Sequence, residues 1–400
     1  MTSRPSCMPT RVGDPAPRRQ GSLTLRATPR YARAMTVAEF EAAGLYDPAA
    51  PGAADRLALL EWLVAQGATL EQMVEAQRHG SLTGLAGDLI LRPGERLTLA
   101  EVAAAARMEP SRIERLRLAT GLRPAGADER LFSREDADVF ANFATGDVFF
   151  GDRPMLQFIR VIGSSLARIA EAAVALFLAN VEGPIVERHA GELALAEANL
   201  RALQALEAIP HGVRTILRAH METAIRRLRA ARRERFRRDT VIVTVGFVDL
   251  VGYTRLSQQL DSRALGTLVE RFEALASDTV AARDGRVVKL IGDEVMFVAV
   301  DPAAACDIAL TLLERFADDP SVTPRGGLAR GPALMRSGDY YGPVVNLASR
   351  VADLAVPREI LVTAEVVDEA GTGRFRFEPA GRRALKGFDE PVALHAAARA

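Results

Sequence analysis

Two carboxylates stand at the ends of predicted strands in the C-terminal half of the chain. Asp249 follows the apolar run Val241–Val248, and Asp293 lies at the tip of a hairpin predicted over Val287–Phe297. The tip, Gly292-Asp293-Glu294, separates two runs rich in β-branched and other apolar residues, which is the pattern of a hairpin. Hard divalent cations take oxygen ligands, so two such carboxylates brought side by side predict a two-metal site for phosphoryl transfer.

A second group of polar side chains follows at spacings that bring its members together. Lys289 precedes Asp293 by four residues, so both are predicted to lie on one face of the same strand. Asn346 and Arg350 stand four residues apart on a predicted helix and therefore leave the same side of it. Asp339 lies in a turn predicted just before that helix. Together these groups could read a purine edge, position a nucleotide and neutralise phosphate charge.

Three segments that contain these residues resemble one protein family. They are Phe247-Val-Asp-Leu-Val-Gly-Tyr-Thr254, Lys289-Leu-Ile-Gly-Asp-Glu294 and Gly338-Asp-Tyr-Tyr-Gly-Pro-Val-Val-Asn-Leu-Ala-Ser-Arg350. In this order, over about residues 240–398, the chain resembles the class III nucleotidyl cyclases. The resemblance implies a head-to-tail homodimer with two sites, because in this family the metal-binding aspartates and the other catalytic side chains of a site come from opposite protomers.

The resemblance also implies an activity and a role for each residue. The expected enzyme is an adenylate cyclase, a phosphorus–oxygen lyase that converts ATP to 3′,5′-cyclic AMP and pyrophosphate. A guanylate cyclase is the alternative, although those enzymes typically carry Glu and Cys at the two positions that select the base. The implied positions are Asp249, Leu250 (through its carbonyl) and Asp293 for two Mg²⁺ or Mn²⁺ ions, Lys289 and Asp339 for adenine, and Asn346 and Arg350 for the ribose and the transition state.

The hydrophobic pattern divides the chain into two halves of different fold class. Residues 36–210 show helical periodicity with almost no strand-like alternation, which predicts an all-α regulatory domain. Over residues 240–398 strands and helices alternate in an order that predicts an α+β catalytic domain with a ferredoxin-like core. An arginine-rich linker helix is predicted over 211–239, and residues 1–35 are predicted to be a disordered arm.

The linker gives a second, architectural resemblance. An all-α half followed by an arginine-rich helix is similar to the pH-responsive mycobacterial adenylyl cyclases, in which an autoinhibitory N-terminal domain restrains catalysis. Three of the five histidines, His189, His211 and His220, lie just before or within the linker. Imidazole changes charge near neutral pH, so these histidines predict a pH-sensitive linker, with ordinary surface histidines as the alternative.

Composition limits the other classes of function. Lys+Arg and Asp+Glu both number 51, so no global field favours nucleic acid or an anionic membrane as partner. Two cysteines are too few for a disulfide framework, which favours a reducing cytoplasm. The most apolar stretch, Val161–Val181, is interrupted by Arg168 and Glu171. It therefore predicts a buried or dimer-packed helix, with no membrane span.

One segment favours a different function. Leu99–Arg107 and Ser111–Leu118 flank a turn at Met108–Pro110, and Ser111 with Glu114 predicts a capping box at the start of the second helix. Two simply packed helices are one interpretation. The other is a DNA-binding regulator whose cyclase-like half senses a nucleotide, with helix-turn-helix contacts from Arg112, Arg115 and Arg117.

Overall fold

The computed structural model describes residues 35–91, 94–206, 209–231, 240–317, 319, 322–371 and 373–400. The predicted N-terminal arm, apart from Met35, and the end of the predicted linker after Ala231 lie outside the described residues. The chain divides into two compact units. One comprises residues 1–95 and 171–207, and the other comprises residues 96–170 and 208–400.

The predicted all-α character of the N-terminal half is confirmed. In the described part of the chain before Thr240, a bridge between Leu97 and Phe132 is the one β-type pairing. The helices are α1 (Val37–Ala42), α2 (Ala53–Ala65), α3 (Leu70–Arg78), α4 (Leu85–Leu91), α5 (Leu99–Ala106), α6 (Pro110–Ala119), α7 (Arg134–Phe150), α8 (Asp152–Phe177), α9 (Gly183–Glu187), α10 (Glu192–Leu206) and α11 (Ile209–Ala231).

Capping boxes fix the starts of several of these helices. In each box a hydroxyl accepts from the amide three residues later, and that residue's carboxylate or amide side chain returns a bond to the cap. The capping residues are Thr36, Thr69, Thr98 and Ser133. The prediction that Ser111 caps α6 is wrong. Helix α6 begins one residue earlier at Pro110, whose fixed φ suits the first helical position.

The first unit is a small helical core built on α1–α4 and α10. Phe40, Leu59, Leu60 and Leu63 are buried there together with Leu200 of α10. A bidentate ion pair ties α2 to the start of α10, with Arg56 Nε and Nη2 each 2.6 Å from a Glu192 carboxylate oxygen. Sequence-distant helices are therefore joined by both apolar contact and a paired charge.

In the second unit, arginines that the DNA-binding hypothesis assigned to nucleic acid make contacts within the protein instead. Arg117 is 8% exposed, lies 5.1 Å from the centroid of the Phe132 ring and donates to the Arg123 carbonyl at 2.6 Å. Arg112 pairs with Asp147 at 2.6 Å and also contacts Asp152. These guanidinium groups stabilise the packing of α6 against its neighbours, which favours the interpretation of two packed helices.

Helix α8 is largely exposed. Phe158, Leu166 and Leu176 are 57%, 48% and 66% exposed, so burial of the predicted helix within the chain is not observed. By length and composition, the continuous stretch Asp152–Glu187 is the one helix in the described residues that could cross a membrane.

The C-terminal half forms the predicted α+β domain around one mixed sheet. Its strands follow the order β2-β3-β1-β4-β6-β8-β7, with β5 paired to β4 and the β4–β6 pair parallel. The elements are β1 (Thr240–Val251), α12 (Tyr253–Gln259), α13 (Ser262–Ala281), β2 (Arg286–Ile291), β3 (Glu294–Ala299), α14 (Pro302–Arg315), β4 (Thr323–Arg336), β5 (Asp339–Tyr341), α15 (Pro343–Leu354), β6 (Ile360–Thr363), α16 (Ala364–Ala370), β7 (Phe375–Arg383) and β8 (Val392–Arg399).

Strand β1 is apolar on both sides because the sheet has a core on each face. Val243 and Val245 lie in the cluster that includes α15 and the end of α11, whereas Val248 and Leu250 lie in the cluster with α13, α14 and α16. Alternate side chains of a strand point to opposite faces, which explains the continuous apolar run. At Gly327 of β4 a Cβ would collide with the backbone of α15, so glycine lets that helix lie directly on the sheet.

The residues Asp339–Gly342 were predicted as a turn, and this is wrong. Asp339–Tyr341 form β5, paired in register with Leu334–Arg336 of β4. The chain reverses two residues earlier, where Ser337 and Gly338 both adopt positive φ. The buried Tyr340 side chain then anchors the new strand, so Asp339 is held on a strand and not on a loop.

Candidate active site

A row of three charged side chains crosses the central strands. Asp249 on β1 stands opposite Glu294 on β3 and opposite Arg325 on β4. Arg325 Nη2 and Nε lie 3.3 and 3.4 Å from Asp249 Oδ2. Residues directly opposite in antiparallel strands share a face, so the register alone assembles two carboxylates and one guanidinium.

Asp293 joins this row from the β2–β3 turn. The prediction placed it on the strand face of Lys289, but β2 ends at Ile291, and Gly292 reverses the chain with φ of +65°. The Asp293 carbonyl accepts the Leu250 amide at 3.2 Å, which fixes the turn against the end of β1. The Asp249 carboxylate lies near enough to Asp293 to help raise its pKa, so the fold brings the two acids to the same place.

The three carboxylates, Asp249, Asp293 and Glu294 (the acid cluster), carry excess negative charge. Burial, followed by the charge of Asp249, raises the pKa of Asp293 to about 6. Burial also raises the pKa of Glu294 to about 7, with further contributions from Asp249 and Asp353. The positive charge of Arg325 lowers the pKa of Glu294, but by less than burial and the neighbouring carboxylates raise it. Within the described residues no group of three or more His, Cys, Asp or Glu side chains is placed to hold a metal ion, so the side-chain ligands for a hard cation here would come from Asp249 and Asp293 alone.

Lys289 and Asp339, the two residues that the family resemblance predicts for adenine (the adenine pair), form a separate group. Lys289 Nζ lies 2.7 Å from Asp339 Oδ2, with 47% and 16% of the two side chains exposed. Burial alone would raise the pKa of Asp339, but hydrogen bonds from Lys289 and the Tyr340 amide outweigh it and lower that pKa. The sequence predicted these residues for one function, and the structure brings them into direct contact.

Asn346 and Arg350 are both exposed on one side of α15, as the four-residue spacing predicted. The opposite side buries Val344 and Ala348 against the sheet. Arg350 Nη1 donates to Asp353 Oδ2 at 3.1 Å, and its side chain is 47% exposed. The Arg350 guanidinium thus pairs with Asp353 on its own helix. Within the described residues of one chain, this ion pair is separate from the one between Lys289 and Asp339.

Comparisons with known proteins show the family of the chain. Residues 237–396 match the model of the adenylate and guanylate cyclase catalytic domain, and residues 39–225 match the model of the adenylate cyclase regulatory domain. The pH-sensitive adenylate cyclase MT1302 of Mycobacterium tuberculosis is 30% identical over 378 residues, which are 85% of this chain and 87% of the relative. The uncharacterized protein Rv2212 of the same species is 34% identical over 88% of this chain and 91% of its own length.

The chain belongs to the class III nucleotidyl cyclases. An adenylate cyclase of Streptomyces coelicolor, 45% identical over 128 residues, matches 32% of this chain and 34% of its own length. The family implies a nucleotide substrate, divalent metals and a dimer. The predicted helical region followed by a cyclase domain is therefore confirmed.

The sequence did not predict two residues that lie beside Asp249. Arg325 and Glu294 face Asp249 because of strand register, which the sequence does not display. Glu294 was visible only as part of the hairpin tip. Arg325 stands just before Gly326-Gly327 at the start of a predicted strand, and a charged side chain there is the one signal that could have drawn attention to it.

Proposed function

We propose that this cyclase converts ATP to 3′,5′-cyclic AMP and pyrophosphate, as a cytoplasmic homodimer controlled by its helical N-terminal half. The observation that carries the choice of ATP is the 2.7 Å contact between Lys289 and Asp339. The ammonium can donate to N1 of adenine, and the carboxylate can accept from the 6-amino group. Guanine reverses both polarities, so GTP would leave these groups unpaired. The relative named a pH-sensitive adenylate cyclase supports the same choice.

The acid cluster would hold the metals. Asp249 and Asp293, with the Leu250 carbonyl, would bind two Mg²⁺ or Mn²⁺ ions, and the raised pKa of Asp293 is the observation that fits a cation there. When bound, such ions lower the pKa of the ribose 3′-hydroxyl and neutralise charge on the triphosphate. The chain's own contribution is to hold the carboxylates in place through β1, β3 and the turn between β2 and β3.

The exposed side of α15 would complete the site. Arg350 would stabilise the charge that develops on the α-phosphoryl oxygens, and Asn346 would orient the ribose for in-line attack. In the free chain the Arg350 guanidinium is paired with Asp353, so it exchanges one carboxylate for phosphate oxygens when substrate binds. Loss of a donor in such a role costs on the order of 10²–10³ in rate.

The same groups support a shared site. Within one chain the acid cluster and the adenine pair form separate groups, and family members act as dimers. We therefore propose that Asp249 and Asp293 of one protomer work with Lys289, Asp339, Asn346 and Arg350 of its partner. Each hairpin would then serve both sites of the dimer, through Asp293 in one and Lys289 in the other.

The N-terminal half is proposed to regulate this site, within the predicted boundaries 36–210 for the domain, 211–239 for the linker and 240–398 for the catalytic domain. His211 and His220 are exposed on α11, and His189 is exposed before α10. Protonation of these imidazoles would add positive charge to an already arginine-rich segment. We expect higher activity at mildly acidic pH in the full-length protein.

The decisive experiment is nucleotide turnover with Mn²⁺. Full-length protein and a chain starting near Arg237 are each supplied with ATP or GTP, and the cyclic product is measured across pH. Cyclic AMP formation with ATP preferred over GTP is expected. No product from either chain would refute the proposed function, preference for GTP would refute the base assignment, and identical pH profiles would remove the linker histidines from regulation.

A further inference from the structure

The linker helix α11 contacts the catalytic domain through one arginine in particular. Arg227 Nε donates to the Asp284 carbonyl at 3.1 Å, and its Nη2 donates to the Gly285 carbonyl at 2.6 Å. The same Nη2 lies 3.6 Å from the Asp284 carboxylate. Only 23% of the Arg227 side chain is exposed, against 66% for the neighbouring Arg226, which reaches Asp284 only at 3.8 Å. The Arg227 side chain thus binds the backbone carbonyls of a turn in the catalytic domain.

The end of α11 is where the helix and the sheet meet. Leu228 and Ala231 pack in the cluster that contains Val241 of β1. Further towards the start of the helix, Ile216 and Met221 are 59% and 55% exposed. The described contacts of α11 with the catalytic domain therefore lie in its last two turns, which include Arg227.

The turn that Arg227 contacts is closely packed. Asp284 has a positive φ of 55°, and a Cβ at Gly285 would meet Ile308 Cδ1 at 2.7 Å and Val280 Cγ1 at 2.9 Å. The residue before the turn, Arg283, donates to Asp307 on α14 at 2.7 Å. This backbone segment is thus closely packed on the side of α13 and α14, and β2 follows it directly.

Strand β2 leads from this turn to the adenine pair. Its first residue, Arg286, donates to the Gly338 carbonyl and lies 5.7 Å from the centroid of the Tyr340 ring. Those two residues flank Asp339, and Lys289 lies three residues beyond Arg286 on the same strand. β2 is an edge strand with β3 as its neighbour in the sheet, and a bulge interrupts its register before Lys289. Beyond its pairing with β3, the strand is therefore held at its first residue by contacts with the residues that flank Asp339.

We propose that Arg227 is a positioning residue for base recognition. It fixes the Asp284–Gly285 turn, and through Arg286 and β2 it sets how Lys289 meets Asp339. This inference rests on the proposed function, since it concerns the pair that would select adenine. It gives the linker helix a physical route to the substrate site, so that movement of α11 changes nucleotide affinity and base preference. The hydrogen bond from the Leu250 amide to the Asp293 carbonyl ties the turn after β2 to β1, so a smaller effect is expected on the acid cluster.

The test is Arg227→Ala in the full-length protein, measured with ATP and GTP in the presence of Mn²⁺. Loss of charge-assisted hydrogen bonds is expected to raise KM for ATP about three- to tenfold and to lower the preference for ATP over GTP by a similar factor. The Mn²⁺ dependence is expected to change by a smaller factor. Arg229→Ala removes an equal charge from the same helix at an exposed site and is the matched control.

Two further variants separate positioning from folding. Arg227→Lys keeps one donor group and should lie between the wild type and Arg227→Ala. In a double-mutant cycle, Arg227→Ala should add little to the KM effect of Lys289→Ala, because both act on one contact. A merely structural role would instead lower thermal stability and kcat with KM and base preference unchanged, and additive effects in the cycle would equally overturn the proposal.

Failure of this inference is distinguishable from failure of the proposed function. If the wild-type chain forms no cyclic nucleotide, the function is refuted, and dissociation constants for ATP and GTP still decide the role of Arg227. If the wild type is active and Arg227→Ala matches Arg229→Ala in both KM and base preference, the positioning role alone is refuted.

Discussion

The acid cluster and the adenine pair belong to the same sheet but differ in how their charges are balanced. In the acid cluster, burial and mutual repulsion raise the pKa of Asp293 to about 6 and that of Glu294 to about 7. In the adenine pair, the Lys289 contact helps lower the pKa of Asp339. The first group is held in an unfavourable charge state that a cation would relieve, whereas the second is already neutralised. A neutral polar ligand such as a base can exchange into the second without a net charge change.

The largest expected effect comes from removing a carboxylate from the acid cluster. Asp293→Asn should lower kcat with Mn²⁺ by about 10²–10³, because a neutral amide is a poor ligand for the cation that the cluster would hold. Cyclic AMP formation measures this, with the exposed Asp278→Asn as control.

Mixing Asp293→Ala with Asn346→Ala should restore part of the activity if sites are shared between protomers. Failure to recover would contradict the shared-site proposal.

The next effect concerns the adenine pair. Replacing Lys289 by Glu and Asp339 by Cys should lower the ratio of kcat/KM for ATP to that for GTP by about 10², since the donor and acceptor polarities are reversed. The Mn²⁺ concentration that gives half-maximal rate should stay within about twofold of the wild type, because the acid cluster is unchanged. An unaltered ratio would show that the pair does not read the base.

A smaller effect is expected at Arg325, which orients Asp249 through two contacts of 3.3 and 3.4 Å. Arg325→Ala should lower kcat about tenfold, because the Asp249 carboxylate loses its partner and its fixed direction. Arg325→Lys keeps the charge without the planar fork and should recover part of the loss. If Lys is no better than Ala, the geometry of the fork matters more than the charge. A wild-type rate for Arg325→Ala would remove Arg325 from the site.

The smallest effect is one of stability. The pKa of Glu294 in the folded chain, about 7, lies above its ordinary value, so its stabilising contribution is complete at low pH and is lost as pH rises through about 7. Glu294→Gln should therefore raise the free energy of unfolding of metal-free protein at pH 8 by about 1–2 kcal/mol after solvent screening, with little change below pH 4.5. Thermal unfolding with a chelator at both pH values tests this. Equal stabilities at pH 8 would contradict the assigned pKa.

The local sequence pattern predicted most helices and strands correctly, but it failed where tertiary contacts determine the secondary structure. The β2–β3 hairpin, β1, β4 and the i,i+4 face of Asn346 and Arg350 follow from periodicity and turn residues. Asp339 was predicted to lie in a turn, yet pairing with β4 and burial of Tyr340 make this segment a strand. Ser111 resembled a helix cap, but Pro110 starts that helix and leaves the serine inside it.

The sequence by itself determined the two fold classes, the order of the catalytic segments and the residue types that metal and base recognition require. These depend on residues close together in the chain, where spacing is equivalent to geometry. Only the tertiary structure determined that Arg325 and Glu294 flank Asp249. The same holds for the contact between Lys289 and Asp339 and for the binding of Arg227 to the turn before β2. Strand register and helix docking are set by the packing of distant segments, and a one-residue slip would exchange the faces without altering any local pattern.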